Sequence, residues 1–296
     1  MEKILQTFKS LYAGEYKRHF YFVLLLLLPA LAGAFLSCID KDAPALVSVN
    51  LLLWAVVLGI LSIIPLVFLT GFNLDFYKSR LECKKGLPIV NWTTFAKAIK
   101  AIPLYLVWGF YYSILTLILF SIPVSLFIYG LSIVKEHLFV FILLVMFSAL
   151  LCCVFCLVTY IISPFISYIF IRFSNNCEYN AALFNPMTVI SYMRKVFKET
   201  VVILFKYIIV NLVLNTVASI ITTIPGMLVA LYVSALSIIS SGGNIYTPLN
   251  LSILIGYSWL AVIIQVYVIS MAGFAMADNL VEVYRTDIET PTSQNI

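Results

Sequence analysis

Five stretches of the chain contain no Asp, Glu, Lys or Arg: Phe20–Ile39, Ala43–Leu74, Ala101–Val134, Leu138–Ile171 and Tyr207–Ala277. About 20 apolar residues in a helix span the ~30 Å hydrocarbon core of a bilayer, and every run reaches that length. A backbone in lipid must satisfy its own N–H and C=O groups, which leaves helices or a closed barrel. Barrel strands alternate polar and apolar residues, and these runs do not, so the expectation is an all-α, polytopic helical membrane protein. Composition agrees: 10% of residues are charged, against roughly 25% in soluble domains.

The last run is too long for one crossing. It divides at Ser240–Asn250, where Ser-Ser-Gly-Gly-Asn and a proline form a turn signal. The result is one transmembrane domain over 1–296 with six spans, near 20–38, 46–72, 104–133, 138–171, 201–225 and 251–277, the fifth with an extension to 240 left open. Outside the spans, every Lys and Arg except Lys41 and Lys135 falls on one side. Basic residues are retained in the cytoplasm, so both termini are expected there and the net charge of +5 is an orientation signal. Nucleic-acid binding is not expected. Ala32-Gly33-Ala34 resembles a signal-peptidase site, but a long basic segment precedes the apolar stretch, so it is read as a retained first span.

Three segments on the basic side have helical amphipathic spacing, over 2–17, 91–103 and 186–199. Ile4, Leu5, Phe8, Leu11 and Tyr12 oppose Lys3, Gln6 and Lys9; Trp92, Phe95, Ile99 and Ile102 oppose Lys97 and Lys100. Met187, Ile190, Met193 and Phe197 oppose Arg194, Lys195 and Lys198. Apolar faces backed by basic residues describe helices lying in the headgroup plane. Asn91 and Asn185 stand at N-cap positions, and Pro186 suits a first helical position. Interfacial helix, outward span and inward span thus recur in a threefold internal pattern. The inward spans echo each other in Ile63-Ile64-Pro65 and Ile161-Ile162-Ser163-Pro164, running on to Arg80 and Arg172.

No catalytic, cofactor, metal or nucleotide motif is present, and the chain reads as non-enzymatic. His19 and His137 fall on opposite faces of the membrane. Cys152, Cys153 and Cys156 read as small side chains packed between helices. Lys206 is the one charge inside a span; it either snorkels to the headgroups or pairs with Asp278 or Glu282, one turn apart at the inner end of the last span. Asn211, Asn215 and Gln265 complete a candidate intramembrane polar site, read mainly as interhelical hydrogen bonding. Lys97, Lys100, Arg194, Lys195 and Lys198 form a candidate collar for anionic lipid or a protein partner. Pro29, Pro65, Pro123, Pro164 and Pro225 fall inside spans and favour kinks.

Pro65 through Gly71-Phe72, Arg80, Gly86-Leu87-Pro88 and Trp92, then Phe184-Asn185-Pro186 and Tyr284-Arg285, resemble a family of multi-pass membrane proteins catalogued as domain of unknown function 4013. The resemblance runs over nearly the whole chain. Ile89 and Val90 stand where family members tend to carry an acidic residue. It implies a prokaryotic cell membrane and transfers no catalytic residue. The expected function is a membrane subunit or assembly component working with a protein partner or a second copy. An uncoupled transporter or lipid-handling protein using the kinked helices is the alternative.

Overall fold

The computed structural model describes residues 2–39, 44–135, 137–241 and 247–289. Among these the chain is helical throughout, with no strand. In order the helices are α1 (Glu2–Tyr12), α2 (Tyr16–Ser37), α3 (Ala45–Leu61), α4 (Ile63–Leu81), α5 (Trp92–Ile133), α6 (Leu138–Asn176), α7 (Ala181–Phe184), α8 (Pro186–Ser241) and α9 (Pro248–Glu289). Five helices are long and apolar enough to cross a membrane, and a sixth span is reached if the bent pair α3–α4 is counted as one. The chain is therefore a multi-pass helical membrane protein. The turn expected at Ser240–Asn250 and the outward loops near Asp40–Pro44 and Lys135–His137 fall largely or partly outside the described residues.

Proline acts differently at each site. Pro65 has no N–H to give the Leu61 carbonyl, and the chain breaks three residues before it: α3 and α4 meet at Ser62 with a 43° bend. Ser62 closes the break itself, its backbone N–H and hydroxyl both donating to Leu58 O at 2.9 and 2.6 Å. Pro164 and Pro225 leave α6 and α8 unbroken. The long fifth span therefore continues to Ser241, and the non-helical residue in α8 is Val196, upstream of the span. The second amphipathic segment is continuous with its span in α5. Asn91 and Asn185 cap as expected, their carboxamide oxygens accepting from Thr94 N (3.0 Å) and Met187 N (2.9 Å).

Contacts separate two compact units. One comprises Met1–Ile99 with Phe205–Arg285; the other is built on Lys100–Leu204. The first has a cluster of interlocked rings, with Phe274 4.8 Å from Phe76, 5.5 Å from Phe22 and 5.6 Å from Phe72. Here α4 lies against the start of α5 at the closest approach a backbone permits. A Cβ on Gly71 would sit 2.0 Å from the Thr94 carbonyl oxygen. In the second unit Tyr168 stacks on Tyr192 at 3.8 Å, and Trp108 donates its indole N–H to Leu183 O at 2.7 Å.

The amphipathic segments meet the rest of the protein through a narrow side. Around α5 the buried residues are Thr94, Ala98 and Ala101, while Trp92, Ile99 and Ile102 are exposed. At the start of α8, Val189 and Tyr192 are buried while Met187, Ile190 and Phe197 are exposed. Small or ring side chains make the protein contact, and the larger apolar residues are left outward. Gly71→Ala is expected to destabilise the protein by at least the ~1–3 kcal/mol typical of overpacking, because the obstacle is backbone. Gly33→Ala, with nothing within 4 Å of the new methyl, is the control. Thermal unfolding of both variants in one detergent checks this.

Candidate functional site

Three of the four ion pairs among the described residues lie at the charged end of the first unit. Arg80, in the last turn of α4, is 5% exposed. Its Nη1 donates to Lys84 O at 2.7 Å and its Nη2 to Gly86 O at 3.3 Å, so the guanidinium holds the loop after α4 by its backbone. Its Nε lies 3.3 Å from Asp278 Oδ1 on α9, and its Cζ lies 4.9 Å from the centre of the Phe76 ring. Arg285, two turns further along α9, donates from Nη2 to Arg80 O at 2.5 Å. One residue thereby joins α4, the loop and α9.

Helix α1 docks on the same place. Ser10 Oγ donates to Asp278 Oδ2 at 3.5 Å, and Ser10 O accepts from Gly86 N at 2.8 Å. Gly86 has φ +82°, and a Cβ there would lie 2.8 Å from Ala13 O, so the contact requires glycine. Below, the buried Asn279 amide donates to Thr7 Oγ1 (3.2 Å), Tyr207 OH (2.9 Å) and Ala275 O (3.0 Å). Lys3 pairs with Glu282 at 2.8 Å. A cavity of about 260 Å³ opens among Arg80, Lys84, Lys85, Asp278 and Arg285. A second, of about 510 Å³, lies beside Lys3, Lys9, Ser10 and Lys85.

Asp75 makes a second, half-buried charge site in this unit. It binds the Lys97 ammonium directly and accepts from Thr94 Oγ1 at 2.7 Å. Lys97, placed among the outward residues of the collar by its spacing, is thus turned inward and engaged. The other collar residues, Lys100, Arg194, Lys195 and Lys198, lie in the second unit and are all exposed.

The expected intramembrane site is only partly drawn together. Gln265 donates to Thr222 Oγ1 at 3.3 Å, joining α9 to α8. Lys206 is exposed and makes no ion pair among the described residues; Asp278 and Glu282 take Arg80 and Lys3 instead. Asn211 is half-buried and Asn215 exposed, and no described hydrogen bond engages either carboxamide. His19 donates to or accepts from Tyr267 OH at 2.9 Å and stacks on Tyr12 at 4.8 Å. Asp75, Asn279, Thr7, Ser10 and Tyr207 were not singled out by sequence. Asp75 alone carried a signal, being the first charge after an apolar run.

The chain belongs to the family described as protein of unknown function DUF4013, which matches residues 57–223, more than half of the chain. That stretch includes Asp75, Arg80 and Lys97 but not α1, α9 or Tyr284-Arg285. No curated protein and no solved structure matches.

Removing one member of a buried ion pair typically costs about 3–5 kcal/mol, because the other charge is left uncompensated. Asp278→Ala is therefore expected to lower thermal stability by at least about 2 kcal/mol, part of the penalty being relieved by the carboxylate's partial exposure. Lys206→Met is expected to stay within about 0.5 kcal/mol, as for a substitution away from buried features. Paired thermal melts of the two variants decide between the Arg80 pairing and a Lys206 pairing.

Proposed function

We infer that the chain is a non-enzymatic membrane component, a subunit or assembly factor that acts with a protein partner or a second copy of itself. In this reading it lies in a prokaryotic cell membrane with both termini cytoplasmic. The observation that carries it is the second unit's surface near the start of α8. Met187, Ile190 and Phe197 are exposed there beside exposed Arg194 and Lys198. An apolar stripe flanked by cations suits the boundary between lipid and water, or a partner of matching pattern. The engaged state of the first unit's charges supports the same reading: Arg80, Asp278, Lys97 and Asp75 hold helices together, which is a structural task.

The second reading, an uncoupled transporter or lipid-handling protein, draws on Asn211 and Asn215. Polar side chains within a span are costly to leave unbonded, and these two have no described hydrogen bond. A thermal shift of the pure protein on adding a substrate would favour it.

The test is purification from native membranes in a gentle detergent, followed by mass spectrometry. A stoichiometric protein partner is expected to co-purify with the native chain. Its recovery should fall by roughly tenfold when Lys100, Arg194, Lys195 and Lys198 are all replaced by Gln, at about 1 kcal/mol or less per charge. Recovery of the native chain alone and as a monomer would sink this reading.

A further inference from the structure

We propose that the two cavities at the charged end of the first unit form one binding site for an anionic phosphate ester, with Lys9 and Lys85 as its principal cations. The inference is independent of the partner reading. Six basic residues line the two cavities, against the acids Asp278 and Glu282. The acids are already answered, Asp278 by Arg80 at 3.3 Å and Glu282 by Lys3 at 2.8 Å. Lys84 is bound to Glu82 at 2.6 Å, and that hydrogen bond holds the Glu82 carboxyl below its ordinary range. Lys9 and Lys85 make no ion pair among the described residues, and both line the larger cavity; Lys85 also lines the smaller. The positive charge left over therefore lies along the larger cavity, with Lys85 shared between the two.

The site is also built in advance. The loop that carries Lys84 and Lys85 is fixed at Lys84 O and Gly86 O by the buried Arg80 guanidinium, and at Gly86 N by Ser10 O of α1. Three remote parts of the sequence thus hold its walls before any ligand arrives, which lowers the ordering cost of binding. The larger cavity, about 510 Å³, lies within the roughly 300–1,000 Å³ range of ligand pockets. Depth indicates the source of the phosphate. Asp278 is the first charge after the run Tyr207–Ala277, and Arg80 follows the run ending at Leu74, so the cavities open where an apolar span gives way to water. That is the level of lipid phosphates.

The test uses the full-length protein in phosphatidylcholine nanodiscs containing a minority of phosphatidylglycerol. Lipid retained after mild extraction is counted by native mass spectrometry. Phosphatidylglycerol is expected to be retained in preference to phosphatidylcholine. Lys9→Gln with Lys85→Gln is expected to reduce that retention roughly tenfold, while Lys9→Arg with Lys85→Arg preserves it. Lys17→Gln, an exposed basic residue that lines neither cavity, should leave it unchanged. If inorganic phosphate displaces the lipid and stabilises the native protein equally well in a thermal melt, the site takes phosphate from solution, and the assigned chemistry stands. Equal retention of both lipids without phosphate stabilisation overturns the proposal. So does unchanged retention in the Gln pair, or a loss confined to Lys17→Gln.

Discussion

A guanidinium removed from water must find several acceptors at once, and Arg80 finds them on different parts of the chain. Its three nitrogens meet the loop carbonyls of Lys84 and Gly86 and the carboxylate of Asp278. Each contact alone is modest; together they fix the exit of α4, the path of the following loop and the end of α9. Helix α1 then has a surface to dock on, because Gly86 N and Asp278 are already in place to meet Ser10. Removing the Arg80 side chain would take away the tie the loop shares with α4 and α9, leaving α1 held by Asn279, Glu282 and Gly86. Between apolar surfaces in lipid the hydrophobic driving force is absent, and position is decided by packing and hydrogen bonds.

What the sequence revealed and what it concealed divide along physical lines. Spans, helix type and the Asn91 and Asn185 caps depend on local properties, namely uncharged length and a short polar side chain before a helix. All of these can be read within a few residues. The partner of Asp278 depends on which helix lies beside it, and Lys206 was the nearer candidate by simple depth. Arg80 wins because α4 ends beside α9, which no periodicity reveals. Lys97 illustrates the same limit. Its spacing places it on a basic outward face, but Gly71 lets α5 approach α4 so closely that Lys97 and Thr94 reach Asp75.

Two of the loops share a backbone feature. Among the described residues, the two non-glycine residues with positive φ are Cys83 (58°) and Cys177 (54°), each just beyond the C-terminal end of α4 or α6. Both initiate the loop to a segment capped by an asparagine, Asn91 or Asn185. The helices themselves diverge: Pro65 sits at a break, whereas Pro164 lies inside an unbroken helix. Similar sequence at the two prolines therefore produces similar exits and different entries.

The spans also differ in how much protein covers them. In its most apolar window α6 has a mean hydropathy of 3.1 and only 6% of that window is buried, whereas α2 and α9 reach 2.2 and 2.1 with 28% buried. During biogenesis a helix like α6 can leave the insertion machinery for lipid on its own partitioning free energy. Helix α9, with Gln265, Asp278 and Asn279 along it, enters most cheaply once α1, α4 and α8 are present to receive those groups. The last span thus completes a fold whose earlier helices must wait for it.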